Sequence, residues 1–344
     1  MVVSILSFLF IILVCVIVHE FGHYLSAVIC GVKVHEFSFG MGPLVWQKDG
    51  KKNKWSIRLF PVGGFVRLAG MGEEEDAEDV PHGQGFLEKS PWKRLWILAA
   101  GSINNILLVV LLASVLLLSQ GVMDLSTSTV GALIPGYPAE AAGLRTGDVV
   151  TSVNGVKVSD WESMTKQIRS EGAKMEELTV EVLRGGDPLT LRMSTKSEKP
   201  GQPPLIGIQP HLKRLSLFEA LRGSLSYTFY MSLSMLRGLK EMFLHPSAAD
   251  VAGPVGIAAM AGQAARQGVM SLLSFLAIIS LNLGIINLLP FPALDGGRII
   301  FVIGELITGR NVSEELEGKI HFIGFVVLIA LILLITWQDI MKLF

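Results

Sequence analysis

The sequence predicts a polytopic α-helical membrane protein of about four transmembrane helices, with a membrane-associated β-hairpin or sheet and an inserted α+β domain. Three observations predict it. Half of the 344 residues are hydrophobic and only 17% are charged, against roughly 25% charged in soluble domains. Four apolar stretches, residues 2–30, 95–122, 270–289 and 322–337, approach the roughly 20 residues that cross a hydrocarbon core. Between them lie segments with strand alternation and turn residues. The net charge of −1 gives no global electrostatic case for nucleic acid. The two cysteines, Cys15 and Cys30, form no CxxC pair and no disulfide framework.

The elements follow in chain order. Met1 to Val18 holds no charged residue. It lacks a basic n-region and an A-x-A cleavage pattern, so a retained span is expected rather than a signal peptide. The loop 31–94 carries ten Lys or Arg. The positive-inside rule puts that loop in the cytoplasm and the N-terminus outside; four spans return the C-terminus outside. Within the loop, "LVWQ" and "WSIRLF" flank "KDGKKNK", a hairpin signal. The acidic run "GEEEDAED" reads as a solvated linker. After the second span, residues 126–210 hold short strands, turn glycines and one helix around Trp161 to Arg169, a small α+β module. Residues 215–244 carry apolar positions at helical spacing (Leu217, Leu221, Leu225, Phe229, Leu233, Leu236). That pattern suits a helix lying at the membrane surface and an ordinary packed helix equally. The domains so drawn are 1–125, 126–210 and 211–344.

The chemistry concentrates in "VIVHEFGHYL", residues 16–25. An ionisable group at membrane depth is costly and marks function. Residues i and i+4 share a helix face, so His19 and His23 can hold one ion, with Glu20 beside them. This is the H-E-x-x-H pattern of zinc hydrolases: two ligands and a general base. Zinc lowers the pKa of a bound water towards about 7. A catalytic zinc takes three protein ligands and leaves one position open. The third ligand should come from the same depth on another helix. His19 lies about 26 Å along a helix that starts at Val2, at 1.5 Å per residue, near the inner end of the core. "LNLGIINLLPFPALDGGRI" contains one acid, Asp295, at the inner end of the third span. Pro290 and Pro292 break the helix just before it. Broken helix at that depth needs protein or a water-filled cavity around it. Two other uses compete: Asp295 could cap the following helix, and Cys15, one turn before His19, could be a ligand or a small apolar filler.

"HEFGH" in the first span with "NLLPFPALDGG" in a late span resembles the site-2 protease family of intramembrane zinc metalloproteases. "GSINN" resembles that family's G-x-x-x-N element. The inserted domain and "AGPVGIA" (252–258) resemble the bacterial branch that regulates sigma-E by cleaving anti-sigma factors. The resemblance implies that His19, His23 and Asp295 bind one zinc per chain and that Glu20 activates water. It further implies that Asn287 binds substrate or stabilises the oxyanion and that Asn105 steadies the site from the second span. "LFPVGGFVRL" resembles the family's membrane-dipping β element, with Leu59, Phe60, Gly63, Gly64 and Phe65 as substrate contacts. There an unwound substrate strand adds by edge pairing. "PAEAAGLRTGDVVTSVNG" resembles a circularly permuted PDZ module, with Leu205, Ile206, Gly207 and Ile208 as its ligand-binding loop and strand. Many Gram-negative relatives carry two PDZ domains; this chain has room for one.

The implied enzyme is an intramembrane zinc endopeptidase of the bacterial inner membrane, acting in regulated intramembrane proteolysis. Its termini and PDZ domain lie outside and its active site towards the cytoplasm. Its expected partners are the bilayer, an upstream protease and single-span substrates: pre-trimmed anti-sigma factors or signal-peptide remnants. One alternative is a membrane-anchored PDZ binding module with a structural metal, which would need a fourth ligand. Another is a metal or proton transporter, which would need ionisable residues across the whole bilayer; here they sit at one depth.

Overall fold

The first helix, α1 (Val2–Ile29), carries no acidic, basic or histidine residue except His19, Glu20 and His23. In the computed structural model, residues 1–50, 53–71, 80–174, 177–197, 203–245, 252–310 and 312–342 are described; the acidic run 72–79 lies outside them. After α1 come β1 (Val34–Asp49), β2 (Lys54–Leu68) and α2 (Pro91–Gln120). Next are β3 (Val122–Met123), β4 (Val130–Leu133), α3 (Pro138–Ala141), β5 (Val149–Val153), β6 (Val156–Lys157), α4 (Trp161–Gly172), β7 (Glu177–Arg184), β8 (Asp187–Ser194), β9 (Ile208–Pro210) and β10 (Leu212–Lys213). The chain finishes with α5 (Leu217–Leu244), α6 (Pro254–Gln267), α7 (Val269–Ile286), α8 (Asp295–Thr308) and α9 (Glu314–Met341). It divides into two compact units: Met1–Leu116 with Ala220–Phe344, and Leu117–Glu219.

In the first unit, four helices are long and apolar enough to cross a membrane: α1, α2, α7 and residues 315–341 of α9. Three of them, α1, α2 and α7, share a core with α6, built from Ile11 and Cys15, Val109 and Leu112, Leu276, Leu281 and Ile285, and Ala261 respectively. The predicted hairpin is present, with Trp46 opposite Ile57 and Gln47 opposite Ser56. It belongs to a larger sheet, because β1 and β2 both bend back. Phe37 faces Val66 on one side and Trp55 on the other, and Phe39 likewise faces Gly64 and Ile57. Tyr24 of α1 anchors this sheet, its ring 5.7 Å from Phe37 and 5.6 Å from Trp55. Inside the sheet, buried Glu36 accepts hydrogen bonds from Ser56 and Arg58.

In α5 the buried ridge is Ala220, Ser224 and Thr228, not the apolar stripe. Leu217, Leu221, Leu225 and Phe229 are exposed. Further along α5, Met231, Met235 and Leu239 pack against the helical core, so one face of this helix is packed while the stripe at Leu217, Leu221, Leu225 and Phe229 stays exposed. Small residues allow close helix approach, as where Ser114 and Ser224 hydroxyls meet at 2.8 Å, and an outward apolar stripe suits lipid.

The second unit is built around a four-stranded sheet, β6-β5-β7-β8, with β4 paired to β9 and β3 to β10. Alternation in β7 buries Leu178, Val180 and Val182, the period-two signature of a half-buried strand. They pack with Val150, Val153, Met164 and Ile168. A capping box starts α4: the Asp160 carboxylate accepts from Ser163 N at 2.7 Å, and Asp160 N donates to Ser163 Oγ. Buried Asp148 is gripped by Arg184 through Nε at 2.9 Å and Nη2 at 2.8 Å. The Arg184 guanidinium holds the Asp148 carboxyl below the usual carboxylate range.

Candidate metal centre

Two helices and one turn assemble the site. His19 and His23 sit one turn apart on α1, ring centroids 4.8 Å apart and nearly perpendicular. Asp295 is the first residue of α8, after a turn containing Pro290 and Pro292. The N-cap position is taken by Leu294, whose side chain makes no capping hydrogen bond, and Asp295 sits in the first turn of the helix. Its carboxylate points at the imidazoles: Oδ2 lies 3.1 Å from His19 Nε2 and 3.3 Å from His23 Nε2. The two Nε2 atoms are 3.1 Å apart. This trio is the one His/Cys/Asp/Glu group able to hold a metal among the described residues. Cys15 is fully buried in the apolar core and does not join it.

The trio fits a tetrahedral cation on two grounds. Ligand atoms about 2.0 Å from a tetrahedral zinc lie about 3.3 Å from one another, close to the three distances observed. Second, His23 Nδ1 donates to Ile97 O at 2.8 Å, which leaves the Nε2 lone pair facing the other ligands. A ligating histidine whose other nitrogen is so held is oriented for metal. Apart from the imidazoles, Asp295 Oδ2 has no hydrogen-bond partner among the described residues.

Glycine makes the approach possible. At Gly22, between the two histidines, a Cβ would stand 2.3 Å from Ala100 O. At Gly101 a Cβ would stand 2.4 Å from His23 Nε2 and 2.7 Å from His19 Cε1. The α1–α2 crossing therefore admits no side chain on either helix at this point. The sequence marked "GSINN" only by resemblance; the structure gives its glycine a steric reason.

The other candidates divide. Asn287 ends α7 with Nδ2 3.4 Å from His19 Nε2, so it joins the site. Glu20 packs beside Gly64 of β2, where a Cβ would stand 3.4 Å from Glu20 Cγ, so β2 lies against the HExxH turn. Gly64 and Phe65 thus run past Glu20, whereas Leu59 and Phe60 are more than half exposed (57% and 56%). Gly63, at φ +88, closes over Met41. Asn105 does not bond a ligand: it is fully buried against Gly284 of α7, and neither amide atom has a hydrogen-bond partner among the described residues. Neighbouring Asn104 is the one that reaches α1, donating to Val18 O at 3.2 Å. Successive helical residues point about 100° apart, so only one of the pair can face α1.

In the second unit, the Ile206 side chain is 2% exposed and belongs to the core. Leu205 is bridged to Lys196 through both backbone groups, and Ile208 pairs with Leu133. Gly207, at φ +84, leaves room for the Tyr137 side chain, 2.1 Å from where a Cβ would be.

The profile of peptidase family M50 matches residues 7–331. A Clostridium acetobutylicum protein is 34% identical over 332 residues, covering 95% of this chain and 94% of that one. Zinc metalloprotease RasP of Geobacillus kaustophilus is 30% identical over 418 residues, covering 99% of this chain and 98% of RasP. RasP of Shouchella clausii is 31% identical over 421 residues, covering 99% of both. The PDZ domain of an SdrC-like protein from Listeria innocua aligns with 25% of this chain and 96% of its own at 21% identity, with a TM-score of 0.22. With a family match across almost its whole length, and His19, Glu20, His23 and Asp295 all inside it, the chain belongs to peptidase family M50, the site-2 proteases.

Proposed function

We propose that this chain is an intramembrane zinc endopeptidase that cleaves transmembrane segments of single-span membrane proteins. The observation that carries the proposal is the His19–His23–Asp295 triangle, set in apolar helices with Glu20 one residue away. His19 Nε2, His23 Nε2 and the Asp295 carboxylate would hold the zinc. Bound there, zinc polarises the scissile carbonyl and lowers the pKa of water towards about 7. Glu20 takes the proton of the attacking water and returns it to the leaving amine. Asn287 Nδ2 donates to the oxyanion. His23 stays oriented because Ile97 O accepts its Nδ1 proton.

A helical substrate hides its peptide bonds in its own hydrogen bonds, so it has to unwind before attack. The strand 64–68 runs beside Glu20 and supports the reading that the unwound segment adds along it. We assign the membrane catalytic halves to 1–125 and 211–344, and a PDZ domain to 126–210 that admits substrates already trimmed by another protease. The β4-to-β9 pairing, with β9 the last strand within residues 126–210, supports a permuted PDZ arrangement. Pre-trimmed anti-sigma factors and signal-peptide remnants are the substrates this arrangement suits. The ten cations of loop 31–94 support an inner-membrane orientation with both termini outside and the zinc site towards the cytoplasm.

Glu20→Gln tests the assignment. The purified variant should keep its fold and its zinc yet cleave a model transmembrane substrate roughly 100-fold or more slowly, the scale of a lost general base. Undiminished cleavage would remove Glu20 from the mechanism.

A further inference from the structure

Asp295 is delivered by an irregular turn, and a different helix holds that turn in place. Leu294 N, Gly296 N and Gly297 N all bond within the stretch, to Phe291 O, Asn287 O and Leu294 O. Ala293 N instead crosses to α9 and donates to His321 Nδ1 at 2.9 Å. Ala293 has φ +78, a left-handed conformation that side chains with a Cβ disfavour. The Ala293 N–H finds its hydrogen-bond partner outside the turn, at His321.

A second contact lies on the same face of α9, three residues on. At Gly324 a Cβ would stand 2.4 Å from Pro292 Cβ and 2.5 Å from Pro292 O. So α9 presses its backbone against Pro292 while His321 holds Ala293, two residues before the carboxylate. The His321 ring also lies 5.8 Å from Phe301 of α8. To accept at Nδ1, the ring must carry its proton on Nε2, which faces Glu317 Oε1 at 3.8 Å. Elsewhere α9 is largely exposed, so this docking point is one of the few places where it grips the rest of its unit.

We infer that His321 is a positioning residue: α9 aims the metal-binding carboxylate by holding the Ala293 N–H on His321 Nδ1 and packing Gly324 on Pro292. The inference rests on the reading of Asp295 as a metal ligand. It adds a requirement that the HExxH and LDG motifs do not contain.

The test compares His321→Leu, His321→Asn, Gly324→Ala and Asp295→Ala in the full-length purified chain. Zinc affinity is read by chelator competition, and kcat and KM on a model transmembrane substrate. Asn keeps an acceptor near the Nδ1 position; Leu removes it. Zinc affinity should fall roughly 10-fold or more in His321→Leu, the range seen when a group supporting a ligand is lost. Its kcat should fall with little change in KM, and His321→Asn should recover most of both. Wild-type zinc affinity and kcat in His321→Leu would overturn the inference, as would equal impairment in the Leu and Asn variants. Where His321→Leu does not purify folded, Gly324→Ala decides: weakened zinc supports the clamp and unchanged zinc overturns it. Zinc lost in Asp295→Ala but intact in His321→Leu sinks the clamp alone. Zinc intact in Asp295→Ala sinks the ligand assignment beneath it.

Discussion

At the scale of single residues, the site depends as much on what is missing at Gly101 as on what is present at His19. A methyl group at 101 would lie 2.4 Å from His23 Nε2 and 2.9 Å from His19 Nδ1, inside contact distance of both imidazoles. The rings cannot retreat, because His23 is tied to Ile97 O and α1 meets α2 backbone to backbone at Gly22. Gly101→Ala should therefore weaken zinc binding roughly 10- to 100-fold, read by chelator competition. Unchanged affinity would mean that the helices can part without cost. His19, Glu20 and His23 were legible in the sequence because an i, i+4 pair is a local relation. Asp295 was legible because it is the one acid near the inner end of the third span. Gly101 and His321 were not legible in that way. Their roles are relations between segments far apart in the chain, and a glycine carries no side chain to announce itself. Asn104 and Asn105 show the limit of motif matching: resemblance selected Asn105, while helix geometry turns Asn104 towards α1.

At the scale of elements, alternation and a charged turn located the hairpin, but not the sheet that contains it. The extra pairing arises because β1 and β2 bend, so that residues 36–39 face two partners each. Glycines at positive φ (Gly40, Gly42 and Gly63) mark those bends; a period-two pattern carries no information about them. The outcome places residues 64–68 beside the HExxH turn. At Gly64 a Cβ would meet Ser38 O at 2.8 Å and Glu20 Cγ at 3.4 Å. Gly64→Val should push this strand from Glu20, lowering cleavage roughly 10-fold or more while zinc stays bound, since neither contact involves a ligand. A parallel loss of zinc would show that the sheet supports the metal rather than the substrate. Helical periodicity found α5 as well, but not its orientation. An apolar stripe faces protein in water and lipid in a membrane, and the sequence does not say which solvent it meets.

At the scale of the whole molecule, the arrangement joins two unlike units. One is a bundle with four helices able to cross a membrane; the other is a folded module with its own core, inserted between α2 and α5. The inserted unit runs over Leu117–Glu219, where the sequence changes from long apolar runs to short strands with turn glycines. The core of the inserted unit was less visible: the burial of the Ile206 side chain inside it is a tertiary relation that the loop motif does not carry. The bundle brings residues 276 positions apart in sequence, His19 and Asp295, to 3.1 Å, and everything proposed for this chain depends on that convergence. Metal analysis of the purified full-length chain tests it most directly. The wild-type chain should carry about one zinc, and Asp295→Ala, with two nitrogen ligands left, should retain little and cleave nothing. A full complement of zinc in Asp295→Ala would contradict the account.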